Sequence, residues 1–220
     1  MRAAAAARGY AYLAVTDHSQ ALRMTGGLDA EKLARQWAEF DEIASEAIEG
    51  TPPRLLRGLE VDILKDGALD LDDASIERLD LVVVSVHSHL DLPQAQQTAR
   101  VIRALQHPGV HVLAHPTGRL IGVREGIALD LDAVFEAAAA RGVAVECNAS
   151  PYRLDLGDVE LARAAAAGCR VVINTDAHAV AGLDDMRFGV TTARRAWLTA
   201  DRVVNTWAWP QLEAFLAKRG

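Results

Sequence analysis

The chain has 220 residues, half of them hydrophobic, which is enough for one sizeable domain and excludes a disordered tail. A net charge of −7 with no long basic run excludes autonomous, nonspecific gripping of nucleic acid, although a nucleic-acid substrate stays open where metals or another domain supply positive charge. Two cysteines, Cys147 and Cys169, without a CxxC pair exclude a disulfide framework and fit a reducing, cytoplasmic setting, and no apolar run is long enough to span a membrane.

The opening "MRAAAAARGY" is too short in its apolar part, and interrupted by Arg8, to be a signal peptide; it reads as the end of a helix capped at Gly9. "AYLAVT" (11–16) is the first predicted strand. In residues 29–49, Leu33, Trp37, Phe40, Ala44 and Ile48 recur at helical steps, with Asp29 as the cap and Gly50 after the end. "RLLRGLEVDI" (54–63) is the second strand. The acidic "LDLDDASIERLD" (69–80) mixes caps with a solvated face, and "LVVVSV" (81–86) is the third strand. Pro93 opens a helix to about Leu105. "VHVLA" (110–114) is the fourth strand, with His107 and His111 around its turn expected to be exposed. Asp130 caps a helix that Gly142 ends, "VAVEC" (143–147) is the fifth strand, and Asp158 caps a helix that Gly168 ends. "RVVIN" (170–174) is the sixth strand. Helices near 189–197, with Arg194 and Arg195 on its surface, and 210–218 finish the chain.

Alternating β and α runs predict a parallel sheet. With no linker and no internal repeat, 1–220 is one domain. Strands apolar on both faces are buried strands.

Polar residues then collect at strand ends. His18 follows the first strand, Glu60 sits late in the second, His87 follows the third, His115 the fourth, and Asp176 and His178 the sixth. In a barrel of parallel strands these ends form one rim, where the site lies. Imidazoles and carboxylates together suit a divalent transition metal. Asp176 and His178 share a face if the sixth strand stays extended, and His89 shares one with His87 on the same condition. Arg119 and Arg153 are candidates for gripping a phosphate. Neither cysteine reads as a nucleophile; Cys147 is packing or rim-lining.

The motifs "TDHS" (16–19), "GLEVDIL" (58–64), "SVHSHL" (85–90), "HPTGRLIG" (115–122), "VECNASPYRLDL" (145–156) and "INTDAH" (173–178) resemble the polymerase and histidinol phosphatase (PHP) superfamily. "HPTGR", "NASPYRLDL" and "GVTTARRAWLTADRVVNT" (189–206) are most similar to the C-terminal PHP domain of bacterial family X DNA polymerases. The resemblance implies a distorted TIM-like (β/α)7 barrel with up to three divalent ions, Zn²⁺ or Mn²⁺. It also implies ligand roles: Glu60 bridging two ions, His87 and His115 completing one of them, Asp176 on the second, and His18 with His178 on the third. A further implication is hydrolysis of phosphoesters, as a 3′–5′ exonuclease or DNA-end phosphoesterase using metal-activated water.

The family's first strand carries a His-x-His that this chain lacks, so only the Glu60, His87 and His115 set is complete. A late start, a fragment or a decayed gene each account for that, and polymerase domains would precede the barrel. Two unpaired sheet edges, self-association and weak activity are the expected consequences. Two other readings stand beside the exonuclease: a phosphatase of small molecules such as histidinol phosphate, and a non-catalytic remnant that binds one metal or interacts only. Substrate separates the first, and a metal count near one without turnover separates the second.

Overall fold

The computed structural model describes residues 1–22, 26–46 and 52–217. Six parallel strands, β1 (Tyr12–His18), β2 (Arg54–Asp62), β3 (Leu81–Ser85), β4 (Val112–Leu113), β5 (Ala144–Asn148) and β6 (Val171–Asn174), lie side by side in chain order. Sequential order of parallel strands is the arrangement of a TIM-like barrel, and the sheet curls as one.

Curling follows from how side chains alternate. The odd-facing set, among them Leu59, Val61, Val84, Leu113, Val145, Val171 and Ile173, packs under the outer helices. Those helices are α2 (Ala30–Ser45), α3 (Asp73–Ile76), α4 (Gln94–Leu105), α5 (Leu131–Arg141), α6 (Asp158–Ala166) and α7 (Met186–Arg195), while α1 (Arg2–Ala7) precedes β1. The opposite face gathers Tyr12 and Ala14 of β1, Leu56, Val83, Val112, Ala144 and Val172 into one second cluster. First and last strands share that cluster because α8 (Trp209–Leu216) and the segment before it insert Val204, Trp207, Leu212 and Phe215 as its floor. The hydroxyl of Tyr12 donates to the carbonyls of Val204 and Trp207 at 3.2 and 3.4 Å.

Several expected signals act as read. The Asp29 and Asp130 carboxylates accept from the N–H groups of Lys32 and Ala133, at 2.9 and 3.2 Å, and cap α2 and α5. Gly142 ends α5 with φ 64°. Ile48 and Gly50, expected at the end of α2, and residue 218 of the last helix lie outside the described residues. Gly157, not Asp158, is the N-cap of α6, and Asp158 instead pairs with Arg195 at 2.8 Å.

Two expectations are corrected. His111 is buried, not exposed: its Nδ1 accepts from the Val82 N–H at 3.0 Å and its Nε2 meets the Leu216 carbonyl at 2.9 Å. The ring thus ties the start of β3 to the floor helix. The sheet also does not leave both edges bare. The Asn205 amide accepts from the Ile173 N–H at 2.6 Å and donates to the Ile173 carbonyl at 2.8 Å, covering the outer edge of β6, and Val203 bridges to Val171. On the outer side of β1 no strand pairs among the described residues.

His111→Phe keeps a ring beside Phe215 but strands a buried donor and a buried acceptor. We expect a loss of about 1–3 kcal/mol in stability by urea unfolding. An unchanged midpoint would show that neither bond matters.

Candidate metal centre

Parallel register sets His18 directly beside Glu60 on the neighbouring strand. Both side chains point to the concave face, above the apolar floor. Strand β3 ends at Ser85 and β4 at Leu113, and the chain then delivers His87 and His115 to the same spot. Around the Glu60 carboxylate stand His18 Nδ1 at 3.5 Å, His87 Nε2 at 3.4 Å and His115 Nε2 at 3.0 Å. The ligand atoms of His18, Glu60 and His87 all lie within 4.8 Å of one another.

Glu60 is 6% exposed. Burial alone would raise its pKa, but the adjoining His115 ring, followed by the charges of His87 and His18, holds it well below the usual carboxylate range. Burial would lower the pKa of His115, yet Glu60 outweighs this and pushes it up to about 9. Despite this crowding, Glu60 Oε1, His18 Nδ1 and His115 Nδ1 are buried without an aligned hydrogen bond. Buried donors and acceptors are normally satisfied. A carboxylate ringed by imidazole nitrogens at 3.0–3.5 Å, close but unaligned, fits a shared divalent cation with nitrogen and oxygen ligands.

His87 is oriented from behind. Its Nδ1 lies 2.9 Å from Asp62 Oδ1 and 3.2 Å from Ser85 Oγ, leaving Nε2 turned to Glu60. On the other flank Glu146 is fully enclosed. Its carboxylate accepts from the His115 backbone N–H at 2.6 Å and from Asn174 Nδ2 at 2.8 Å, and burial raises its pKa to about 7.

The remaining candidates are placed differently. Strand β6 ends at Asn174 and Asp176 has φ 52°, so extended alternation does not continue, yet Asp176 Oδ1 still lies 3.8 Å from His178 Nδ1. Asp176 receives the Asn148 amide at 3.3 Å and lies 3.7 Å from Arg153 Nε. His178 is 77% exposed, with Nδ1 2.8 Å from the Asp176 carbonyl. His89 has φ 51° beyond the end of β3; the extended premise fails and its ring is exposed. Arg119 donates its Nε to the Arg153 carbonyl at 2.9 Å and its Nη2 to the Leu154 carbonyl, clamping two loops together.

Asp62, Ser85, Glu146, Asn148 and Asn174 were not singled out by the sequence reading. Their signal is parity: each falls on the same alternate set as Glu60 within its own strand, a polar residue inside an apolar run.

No protein-family model matches the chain. It is 44% identical over 211 residues, 96% of its length, to the DNA polymerase/3′-5′ exonuclease PolX of Bacillus subtilis (strain 168), and covers 36% of that protein. It is 28% identical over 161 residues to a probable phosphatase of Syntrophotalea carbinolica, covering 69% of this chain and 65% of the relative. The chain therefore spans about a third of the first relative and just under two thirds of the second. Among solved structures it resembles the histidinol phosphate phosphatase of Lactococcus lactis complexed with zinc, L-histidinol and phosphate. The TM-score is 0.59 at 13% identity, covering 89% of this chain and 86% of that one, a likeness of fold.

Two expectations follow from the site geometry. His87→Ala removes a nitrogen at 3.4 Å from Glu60 and is expected to weaken metal binding by well over tenfold, while Asp62→Asn, acting through His87, is expected to cost about 10–100-fold. His107→Ala, on a turn, is expected to change nothing. Isothermal titration with Mn²⁺ or Zn²⁺ checks all three, and equal losses in the His87 and His107 variants would remove His87 from the centre.

The second concerns pH in the metal-free protein. The folded pKa of Glu60 lies below its ordinary 4.5, so its stabilisation is present above that pH and is lost as pH falls. His115 lies above its ordinary 6.5, so its stabilisation is full below that pH and is lost as pH rises through about 9. Glu146, raised to about 7, also costs stability as pH climbs from 4.5. The Tm measured in chelator is expected to peak at about pH 5–6.5 and to fall toward pH 9. A profile flat from pH 6.5 to 9 would contradict the Glu60–His115 pairing.

Proposed function

We propose that this chain, which belongs to the polymerase and histidinol phosphatase (PHP) superfamily, is a divalent-metal-dependent phosphoesterase that removes nucleotides or phosphate from DNA 3′ ends. The observation that carries the chemistry is Glu60, a buried carboxylate within 3.0–3.5 Å of three imidazole nitrogens at the C-terminal ends of parallel strands. Support for DNA as the substrate comes from the 44% identity to a polymerase and 3′-5′ exonuclease across 96% of the chain.

Zn²⁺ or Mn²⁺ suits one carboxylate with several imidazoles better than Mg²⁺ does. His18, Glu60 and His87 would hold one such ion, with His115 beside the same Glu60 oxygen, Oε1, that His87 approaches. When bound, the ion would polarise a phosphoryl oxygen and lower the pKa of a water molecule. The protein's own part is to fix geometry. Asp62 and Ser85 set the ring of His87. Glu146, through the His115 backbone N–H, sets where the fourth strand's imidazole enters. Arg153, beside Asp176, is the cation on hand to meet a phosphate oxygen. Asp176 and His178, beyond the end of β6, would serve further metal positions on the same rim. No cysteine is needed as nucleophile: Cys147 is buried and burial raises its pKa to about 12.

A small-molecule phosphatase is the second reading. It is favoured by the fold likeness to a histidinol phosphate phosphatase. Both cysteines are free and buried, which agrees with a reducing, cytoplasmic location. No helix among the described residues is long and apolar enough to cross a membrane.

The test is Mn²⁺- and Zn²⁺-dependent release of 3′-terminal nucleotide or phosphate from labelled single-stranded DNA, run beside release of phosphate from histidinol phosphate. DNA-end hydrolysis that chelator abolishes, and that Glu60→Gln lowers by at least about 100-fold, is expected. Turnover of histidinol phosphate alone would transfer the chain to the second reading, and full activity in Glu60→Gln would end both.

A further inference from the structure

The loop that leaves His115, residues 116–126, and the loop that leaves β5, residues 150–156, are fastened to each other. The Ile121 N–H donates to the Tyr152 carbonyl at 2.8 Å. Arg119 bonds the Arg153 and Leu154 carbonyls. The buried Asp155 carboxylate accepts from the Thr117 and Gly118 N–H groups at 3.1 and 2.9 Å. Bonds of this number make the pair one rigid shelf, not two loose tips.

That shelf shows apolar surface to solvent. Tyr152 is 74% exposed, Val123 82% and Ile121 50%, although nothing in the packing of the core requires an aromatic ring there. Exposed apolar groups held on a fixed frame mark a recognition surface. The shelf also departs from the charge of the rest of the chain. It carries Arg119, Arg124 and Arg153 against Glu125 and the buried Asp155, in a protein of net charge −7. Arg119 and Arg124 donate to neutral carbonyls, Arg124 to that of Gly118 at 2.6 Å, so their positive charge is not cancelled by those bonds. The shelf starts at His115, 3.0 Å from Glu60, and its Arg153 reaches toward Asp176.

The geometry points to this shelf as a binding surface for the 3′ segment of single-stranded DNA, with a nucleobase stacked on Tyr152, apolar contact from Ile121 and Val123, and the backbone phosphates held by the arginines. An exposed aromatic ring on a shelf that also carries guanidinium groups matches the two faces of a single strand, a stackable base and an anionic phosphate. A protein segment would meet the same apolar residues but has no call on the arginines that these two loops carry. The inference rests on the phosphoesterase reading for the fate of the strand, but not for its binding. Selection of a nucleic-acid end over a small phosphate would then come from the shelf and not from the metal cluster.

The experiment is fluorescence anisotropy with this chain and 5′-labelled oligothymidylate whose 3′ linkages are phosphorothioates, in Mn²⁺, beside hydrolysis of bis(p-nitrophenyl) phosphate. Loss of one base–aromatic stack is expected to weaken binding by about 5- to 150-fold in Tyr152→Ala. Tyr152→Phe should bind within about twofold of the parent, since the ring and not the hydroxyl carries the stack. An oligonucleotide stripped of its 3′-terminal bases should bind the parent as weakly as the intact strand binds Tyr152→Ala. Hydrolysis of the small diester should be the same in all three proteins. Unchanged binding in Tyr152→Ala, or a parent chain that hydrolyses the diester but does not bind the strand, overturns the shelf and leaves the activity standing. Base-dependent binding without hydrolysis of either substrate keeps the shelf and removes the proposed activity.

Discussion

A single buried carboxylate governs the upper half of this fold. Removing an ionised group from water costs far more than a domain's net stability unless partners replace the solvent. Glu60 is 6% exposed, and His18, His87 and His115 each approach it from a different strand. Each partner then brings a need of its own. His87 leans on Asp62, itself buried, and the charge of Asp62 acts on Arg100, 2% exposed, whose pKa burial pulls down and Asp62 pulls back up. The Arg100 guanidinium donates to the Ser88 carbonyl and fixes the turn that carries His87. The polar network is a chain of compensations that begins at one residue of β2.

The lower half obeys a different rule. There the same alternate positions carry mainly apolar side chains, Arg54 and Arg170 lie over the rings of Trp209 and Trp207, and the interior is closed by Trp207, Leu212 and Phe215. The change from apolar to polar occurs within each strand: Leu56 then Glu60 in β2, Val83 then Ser85 in β3, Ala144 then Glu146 in β5, Val172 then Asn174 in β6. A strand that is greasy at one end and polar at the other sets a floor under a site without any added element. Rotation of register by one residue would invert both halves at once, which is why pairing such as His18 with Glu60 is so tightly specified.

Most of this was legible in the sequence because buried parallel strands are runs of β-branched residues, and each of the six runs is a strand. Capping residues such as Asp29 and Asp130 read directly, since their chemistry is local. What could not be read depends on partners far along the chain. His111 sits next to a turn, where histidines are usually exposed, but its two bonds come from residue 82 and residue 216. Glu146 was hidden within an apolar run, its burial made tolerable only by the His115 N–H and Asn174. Asp176 and His89 failed the alternation argument because both have positive φ, in the region that strands do not use. The ends of strands in this fold are where extended geometry stops, and also where the functional residues are.

The floor of the interior has a consequence for how the protein is made. Its covering residues, Val204 to Phe215, follow every strand in the chain. During synthesis the sheet emerges first, and its concave apolar face has nothing to pack on until those residues leave the ribosome. The bonds from Tyr12 to the Val204 and Trp207 carbonyls join positions separated by 192 and 195 residues. Contacts of such separation form late and slow the final step. Until Val204 to Phe215 are made, the apolar positions that they cover have nothing to pack on, so the interval between the release of residue 174 and that of residue 216 is when this surface is open to chaperones and to aggregation.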